Sequence, residues 1–450
     1  MGERPEARRD RTPATRFESR SADWLSCAEA LARVMEHARA LPVLRLPVEA
    51  ARGMALAQPV ESPVTLPPWD NSAMDGYAVR GDSIEGASPE APRTLRVTAA
   101  LHAGEVGGVA VGAGEAVRIM TGTPVPEGAD CVVRVEDTDA ERKPGRVAVF
   151  SERDRGRNVR PAGQDMRAGE TVLAPGTTLG AAQLGVLAAC GLTSVEVHRR
   201  PVAAVLASGD EIAPAERFAE VAAGRAIPDT NGPMLAAAVA EAGGEGVRPG
   251  IARDTEESVR EHLLRGAAQA DLLITIGGAS MGEGDLFKRV LDELGYQPDF
   301  WRARIRPGSP VGFGQLPVEG RAPVPVFGLP GNPASAFVTF HLFARPFISA
   351  LAGHRHPSPP VVRARAGVAM GGPRGLAVYP RVRLLPASKD GWTAVLSGHQ
   401  SSALVAPTGR ADGLAVIPEG VQRIAEGEEV DVLLLGGPGL LPGAEAADPG

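Results

Sequence analysis

Apolar residues cluster in blocks along the middle of the chain, and one block organises the rest. Leu272–Ile276 is a mostly apolar run, rich in Leu and Ile, of the kind buried on both faces of a parallel sheet. It breaks into a glycine loop carrying Gly277, Gly278, Ser280 and Glu283 and closing on Asp285. Leu286, Phe287, Val290, Leu291 and Leu294 then recur at helical spacing, with charged residues between them. A strand, a glycine loop and a helix together place a ligand at the carboxyl end of a sheet. There, backbone N–H groups and the helix N-terminus favour an anion. An ordinary tight turn is the other reading. The loop has neither the Gly-Lys-Ser/Thr of a phosphate-binding P-loop nor the GxGxxG of a dinucleotide site.

The same alternation runs on both sides of this block. Val202–Leu206 and Val247–Ile251 read as strands, and Asn231–Ala242 and Thr255–Leu264 as helices. Phe300–Ile305 reads as a further strand. Short strands follow at Val311–Phe313 and Val324–Phe327, then a helix running to about Ala350. Such alternation predicts a doubly wound parallel sheet with right-handed crossovers. Five polar or glycine-rich loops then meet at one edge: Ser208–Glu211, Arg253–Asp254, Gly277–Asp285, Arg306–Pro310 and Gly328–Asn332.

Upstream, Ser26 and Glu29 form a capping-box pattern before an apolar stripe of Ala30, Leu31, Val34, Met35 and Ala38. A second short helix is expected near Pro47–Met54. Prolines at 59, 63, 67 and 68 then impose an extended linker. A β-rich stretch follows, with strands at Val117–Met120 and Cys131–Val135. Downstream of a Pro/His-rich linker at Gly353–Pro360, VRARAGVAM, YPRVRLL, WTAVLS and GLAVIPEG read as strands of a small barrel or sandwich.

Composition narrows the class. At 450 residues the chain exceeds a single core and suggests about three domains. A net charge of −7 argues against a nucleic-acid-binding surface spread over the whole protein. Cys27, Cys131 and Cys190 are too few and too scattered for a disulfide framework or a CxxC zinc site, which fits a reducing compartment. No apolar run approaches the roughly 18 residues of a membrane helix, and the charged N-terminus lacks the apolar core of a secretory signal. The expectation is a multidomain cytoplasmic protein with no membrane or nucleic-acid partner, and with disordered tails at 1–20 and 437–450.

Two constellations carry candidate chemistry. Glu211, Asp254 and Asp285 give the sheet edge three carboxylates, a set that suits Mg²⁺ together with phosphate oxygens. Asp254 with Glu257 also forms a helix-capping pattern. In WRARIRPGSP, a strand would present Arg302, Arg304 and Arg306 on one face, a fork-rich surface for a tetrahedral oxyanion. A solvated edge strand is the alternative. No Ser-His-Asp or Cys-His nucleophile pattern is evident, so charge positioning around anions and a metal is expected.

The motifs DNSAMDGYAVR, RIMTGTPVPEGAD, GRNVRPAGQD, ASGDE, GGASMGEGD, RPGSP, GLPGNPASA and SGHQSS occur in this order. Together the chain resembles the MoeA/gephyrin-type molybdopterin molybdenumtransferases from about residue 20 to residue 435. The resemblance implies a multidomain α/β plus β protein. A helical/β domain (21–66 and 151–199) would carry a β-rich insertion (67–150). A doubly wound parallel-sheet molybdopterin-binding domain (200–351) and a C-terminal β-barrel (357–436) would follow. It implies insertion of molybdate into adenylylated molybdopterin with release of AMP, aided by Mg²⁺ or another divalent cation, in a homodimer whose sites are shared between subunits, with possible transfer of the product to molybdoenzymes or their chaperones.

By motif, Asp75, Thr121, Arg160 and Asp165 would lie on the partner-facing side. Glu211, Asp254 and Asp285 would hold the metal and support hydrolysis, with Asp75 and Asp165 as further catalytic positions. Gly277, Gly278, Ser280, Arg302, Arg306, Ser309, Pro330, Gly331, Asn332 and Ser402 would bind the pterin phosphate, the adenylate and the oxyanion. Members usually carry lysines where this chain has Arg302 and Arg306, and often one at Ser309. Arginine presents a larger planar fork, so an altered oxyanion pocket is expected. A tungstate-inserting paralogue and a non-catalytic pterin-binding scaffold remain open alternatives.

Overall fold

A computed structural model describes residues 24–102, 104, 108–277, 286–387 and 391–436. These form two compact units, one of Pro59–Ala174 with Ala181–Thr193, the other of the remaining segments. An N-terminal helix, α1 (Cys27–Glu36), opens the larger unit. Ser26 and Glu29 cap it reciprocally, as the sequence predicts, and Ala30 and Val34 face inward.

The smaller unit is built on a five-stranded sheet of β1 (Gly76–Val79), β2 (Arg93–Leu101), β3 (Glu115–Ile119), β4 (Cys131–Arg134) and β5 (Arg146–Val149), in the order β4-β1-β3-β2-β5. Tyr77, Val79, Ala116, Cys131, Val133 and Val147 make its core. A short ribbon pairs Asn71 with Arg160 and Ser72 with Val159.

In the larger unit, Val43–Pro47 pairs antiparallel with Ser194–His198. The expected helix at Pro47–Met54 is only a single 3₁₀ turn, Val48–Ala51. The α/β portion contains β6 (Val202–Ser208), α2 (Asn231–Glu241), β7 (Glu245–Val247), β8 (Ile251–Ala252), α3 (Glu256–Gln269), β9 (Leu272–Ile276), α4 (Leu286–Glu293), β10 (Gln297–Phe300), β11 (Gly312–Leu316) and β12 (Val324–Leu329). The sheet runs β7-β6-β9-β12-β11-β10, with β8 also on β6. From β7 to β12 it is parallel, and β11 is antiparallel to both of its neighbours.

All five residues of β9 are buried. Its odd and even positions feed different cores. Leu272, Ile274 and Ile276 join Ala203, Val205 and Ala207 on one side, while Leu273 joins Ala204 and Leu206 on the other. Burial on both faces explains why β9 lacks alternation. The expected strand Val247–Ile251 splits into β7 and β8 because Pro249 and Gly250 interrupt it.

Phe300–Ile305 is not a strand of this sheet. β10 ends at Phe300, and Trp301 turns in beneath β11 and β12, where a Cβ on Gly312 would lie 2.4 Å from its ring. Beyond it, the backbone bonds to distant segments. The N–H of Arg304 donates to the Leu25 carbonyl at 2.7 Å, and that of Ala377 to the Arg304 carbonyl at 2.9 Å.

The long helix Pro333–Leu351 is apolar and long enough to cross a membrane by length and composition, a run the sequence reading passed over; 78% of its apolar window is buried. It is a core helix whose Phe347 stacks against Phe313 and Phe327. A π-helical turn at Phe340–Ala344 falls just before Pro346, which has no N–H to offer the preceding turn.

The C-terminal region closes a five-stranded barrel from β13 (Val361–Ala366), β14 (Arg381–Pro386), β15 (Trp392–Leu396), β16 (Gly413–Val416) and β17 (Glu429–Leu434). Val382, Leu384, Ala394 and Val432 fill it.

Candidate functional site

The turn after Ile305 opens a cleft of about 1020 Å³, lined by Arg306, Ser309, Pro330, Asn332 and Ser335 on the α/β side and by His399, Gln400, Ser401 and Ser402 on the barrel side. Gly308 at its base has φ +97°, and a Cβ there would lie 2.4 Å from the Thr339 methyl. The close approach of turn and helix therefore needs glycine. Ser309 donates its hydroxyl to the Ile305 carbonyl at 2.5 Å and holds the turn. The Asn332 amide donates to the Ser402 hydroxyl at 3.2 Å, and the Ala334 N–H donates to the Ser402 carbonyl at 3.0 Å.

Arg381 escaped the sequence reading. Its side chain is fully buried at the start of β14, 1% exposed. It donates to the Ser401 carbonyl at 3.3 Å and to the His399 carbonyl at 3.2 Å. Gln400 brackets its backbone, accepting from the Arg381 N–H at 2.8 Å and donating to its carbonyl at 3.1 Å. A guanidinium thus shapes the loop that supplies four residues to the cleft. Burial depresses its pKa below the usual arginine value. Arg381 alternates with the core residues Val382 and Leu384, so strand periodicity gave no signal of its burial.

The expected three-arginine face does not form. Arg306 lines the cleft, but Arg302 lies over the Trp24 ring at 4.9 Å. Arg304 donates to Glu419 at 2.8 Å and also reaches the Trp24 carbonyl, joining the barrel to the N-terminal segment. Because the backbone leaves strand geometry at Trp301, alternate side chains no longer share a face.

A second concavity of about 660 Å³ adjoins the first at the ends of β6 and β9. It contains Glu211, Asp229, Asn231, Gly277, Gly331 and Asn332. Asn231 donates its amide to the Gly331 carbonyl at 2.7 Å, while its buried side-chain oxygen has no hydrogen-bond partner. Such an oxygen suits a donor from a ligand. Gly209 has φ +151°, and a Cβ on it would lie 2.7 Å from the Glu211 carboxylate, so glycine lets that carboxylate fold over the loop. Asp254 accepts from the Asp210 N–H at 3.3 Å. The predicted Asp254 cap is not made; Thr255 caps α3, accepting from the Ser258 N–H at 3.3 Å. Asp254 is therefore left to the sheet edge.

Gly278, Ser280 and Asp285 lie outside the described residues. Among those described, no three His, Cys, Asp or Glu side chains group closely enough to hold a metal. Glu211 and Asp254 offer two hard oxygen ligands on neighbouring loops, a set that fits a cation taking its other ligands from phosphate and water.

In the smaller unit, Asp75 accepts from the Thr121 N–H at 2.7 Å and from the Thr121 hydroxyl at 2.8 Å. Both bonds favour the carboxylate and hold its pKa below the ordinary value. Arg160 is exposed on the ribbon opposite Asn71, and Asp165 is exposed in the loop that follows.

Comparison with known proteins bears on this arrangement along its whole length. The family profile for the MoeA N-terminal region (domain I and II) matches residues 25–191. The profile described as "Probable molybdopterin binding domain" matches 204–350, and that for the MoeA C-terminal region (domain IV) matches 363–435. A molybdopterin molybdenumtransferase of a Nostoc species is 35% identical over 390 residues, 86% of this chain and 87% of the relative. The chain belongs to the MoeA family of molybdopterin molybdenumtransferases.

Another MoeA-family relative, molybdopterin molybdenumtransferase 2 of Mycobacterium tuberculosis, is 35% identical over 89% of this chain and 96% of its own length. A solved molybdopterin biosynthesis moeA protein from Pyrococcus horikoshii superposes with a TM-score of 0.76 at 25% identity, covering 92% of this chain and all of that one. MoeA membership accounts for the order of the matched regions along the chain.

Proposed function

We propose that this MoeA-family enzyme inserts molybdate into adenylylated molybdopterin with release of AMP, in a divalent-cation-dependent reaction. The observation that carries the reading is the junction of two clefts at Asn332. One cleft is cationic and hydroxyl-rich, with Arg306, Ser309 and Ser402. The other presents the Glu211 carboxylate and the unpaired Asn231 oxygen. The first suits a tetrahedral oxyanion, and the second a heterocycle with hydrogen-bond donors and a phosphate.

In the cleavage, a water oxygen bonds to the adenylate phosphorus. The anhydride oxygen leaves with the pterin phosphate and its electron pair, and the water's proton passes to the Glu211 carboxylate. In the insertion, two pterin thiols displace two molybdate oxygens, which leave as water with protons from the thiols and solvent. The metal's oxidation state does not change. Glu211 and Asp254 would hold the divalent cation, which supplies neutralising charge to the phosphate oxygens. A homodimer, with the smaller unit of each subunit serving its partner's site, and a cytoplasmic setting belong to the same proposal.

The test is AMP release by purified protein given adenylylated molybdopterin with Mg²⁺ and either molybdate, tungstate or no oxyanion. Molybdate-dependent AMP release with formation of the metal cofactor is expected. A strict tungstate requirement would assign the arginine-containing cleft to the other metal. Tight pterin binding without AMP under any condition would overturn catalysis and leave a carrier.

A further inference from the structure

Segment 302–306 is held from two sides, and the two sides divide its length. The first half belongs to the N-terminal segment: Ala303 pairs parallel with Leu25, and the Arg304 N–H donates to the Leu25 carbonyl at 2.7 Å. The second half belongs to the barrel region, where Ile305 pairs parallel with Ala377 and Arg306 with Val378. The Ala377 N–H donates to the Arg304 carbonyl at 2.9 Å, and the Tyr379 N–H to the Arg306 carbonyl at 2.8 Å. Val378 in turn exchanges backbone bonds with Ile417, just past β16, at 2.8 and 2.9 Å. The backbone that carries Arg306 is therefore registered on the barrel.

One ion pair reinforces that register. Arg304 Nε donates to the Glu419 carboxylate at 2.8 Å, with both side chains half-buried. Glu419 lies two residues beyond Ile417, and neither it nor Arg304 lines the cleft. Arg306 does line it, and among the described residues no hydrogen bond or ion pair holds its side chain. The fork of Arg306 is thus aimed by its backbone alone. That backbone meets the barrel over only two paired residues, so the added pair bears on where the guanidinium stands. A shift of about 1 Å is enough to weaken a fork's hold on a tetrahedral oxyanion. The Arg302 contact with Trp24 lies in the half tied to the N-terminal segment and has no part in this.

We propose that Glu419, acting through Arg304, is a positioning residue for Arg306, so that the barrel sets the affinity of the cleft for a tetrahedral oxyanion. This role rests on reading the Arg306 cleft as the oxyanion site and adds to that site a residue standing outside it.

The experiment is calorimetric titration of the full-length protein with molybdate, run below the melting onset of every variant. R306Q is expected to weaken molybdate at least ~10-fold. E419A and R304M, with Arg306 intact, are each expected to weaken it about threefold to fivefold, and the double variant no more than either alone. E419D, which returns the charge on a shorter stem, is expected to recover part of the affinity. D431N removes a barrel carboxylate that faces Arg363 at 3.2 Å and is expected to leave the affinity at its wild-type value. Wild-type affinity in E419A, additive losses in the double variant, or an equal loss in D431N would each overturn the positioning role while leaving the oxyanion site in place. Wild-type affinity in R306Q, or no saturable molybdate binding by the unmodified protein, would remove the oxyanion site itself and the positioning role with it.

Discussion

Arg302 lies over the indole of Trp24 with its guanidinium carbon 4.9 Å from the ring centroid, whereas Arg306, four residues on, lines the cleft it shares with Ser309 and Ser402. The two arginines of one short segment therefore have different work. Arg306→Ala is expected to raise the KM for molybdate at least tenfold, since a charged hydrogen bond contributes about 1.5–3 kcal/mol. Arg306→Lys, which keeps the charge but loses the fork, should raise it less. Arg302→Ala should leave that KM unchanged and lower stability by about 0.5–1 kcal/mol. Steady-state kinetics with varied molybdate, alongside urea unfolding, separates the three.

Arg381 is predicted to matter to both fold and cleft. Arg381→Met leaves the carbonyls of His399 and Ser401 without their donor, at a cost of about 1–3 kcal/mol. The 398–402 loop then loses its shape, so molybdate-dependent AMP release should fall more than a loss of folded protein explains. Denaturant midpoints and activity at a temperature where the variant stays folded check this.

Gly209→Ala is expected to lower AMP release by tenfold or more. The new Cβ would meet the Glu211 carboxylate and must adopt φ +151°. The strain, about 1–3 kcal/mol, should appear as a modest drop in melting temperature with a larger drop in kcat. A wild-type kcat in a normally folded variant would show that the Glu211 carboxylate need not sit where Gly209 lets it fold.

Stability should decline as pH falls below about 6.5. His341 is buried in the core helix, and burial followed by the nearby Arg345 charge pushes its pKa well below 6.5. Below 6.5 the unfolded chain takes up a proton that the folded chain refuses, so the unfolded state gains. Above 6.5 both states are neutral and the group contributes no pH dependence. His354, whose pKa is also lowered by burial and by Arg200, adds to the same trend. Melting temperature from pH 8 to 5 checks the slope, and His341→Leu should flatten part of it.

What the sequence disclosed and what it hid follow from how local each signal is. β9 was readable to the residue because five consecutive buried positions announce a central strand. The capping box at Ser26 and Glu29 was equally local. Segment 301–306 was misread because its partners are Leu25, Ala377 and Tyr379, far away in the chain, and no periodicity encodes them. The same holds for the site. Arg306, Ser309, Pro330, Asn332 and Ser402 were found through motifs and do meet in one cleft. Arg381 was missed because a buried charge that pairs only with loop carbonyls looks, in sequence, like any strand arginine. Asp254 was given two compatible roles by its spacing, and the Thr255 hydroxyl takes the capping one.

Asn332 lines the Arg306 cleft and the Glu211 pocket alike, and its amide is pinned to Ser402. One side chain forms a wall of both chambers, so a ligand that shifts it from one side would link their occupancies thermodynamically. Whatever fixes that amide from one chamber alters the affinity of the other, and by the same factor in reverse. Under the proposed reaction the pterin and the oxyanion would then act as each other's effectors before any bond changes.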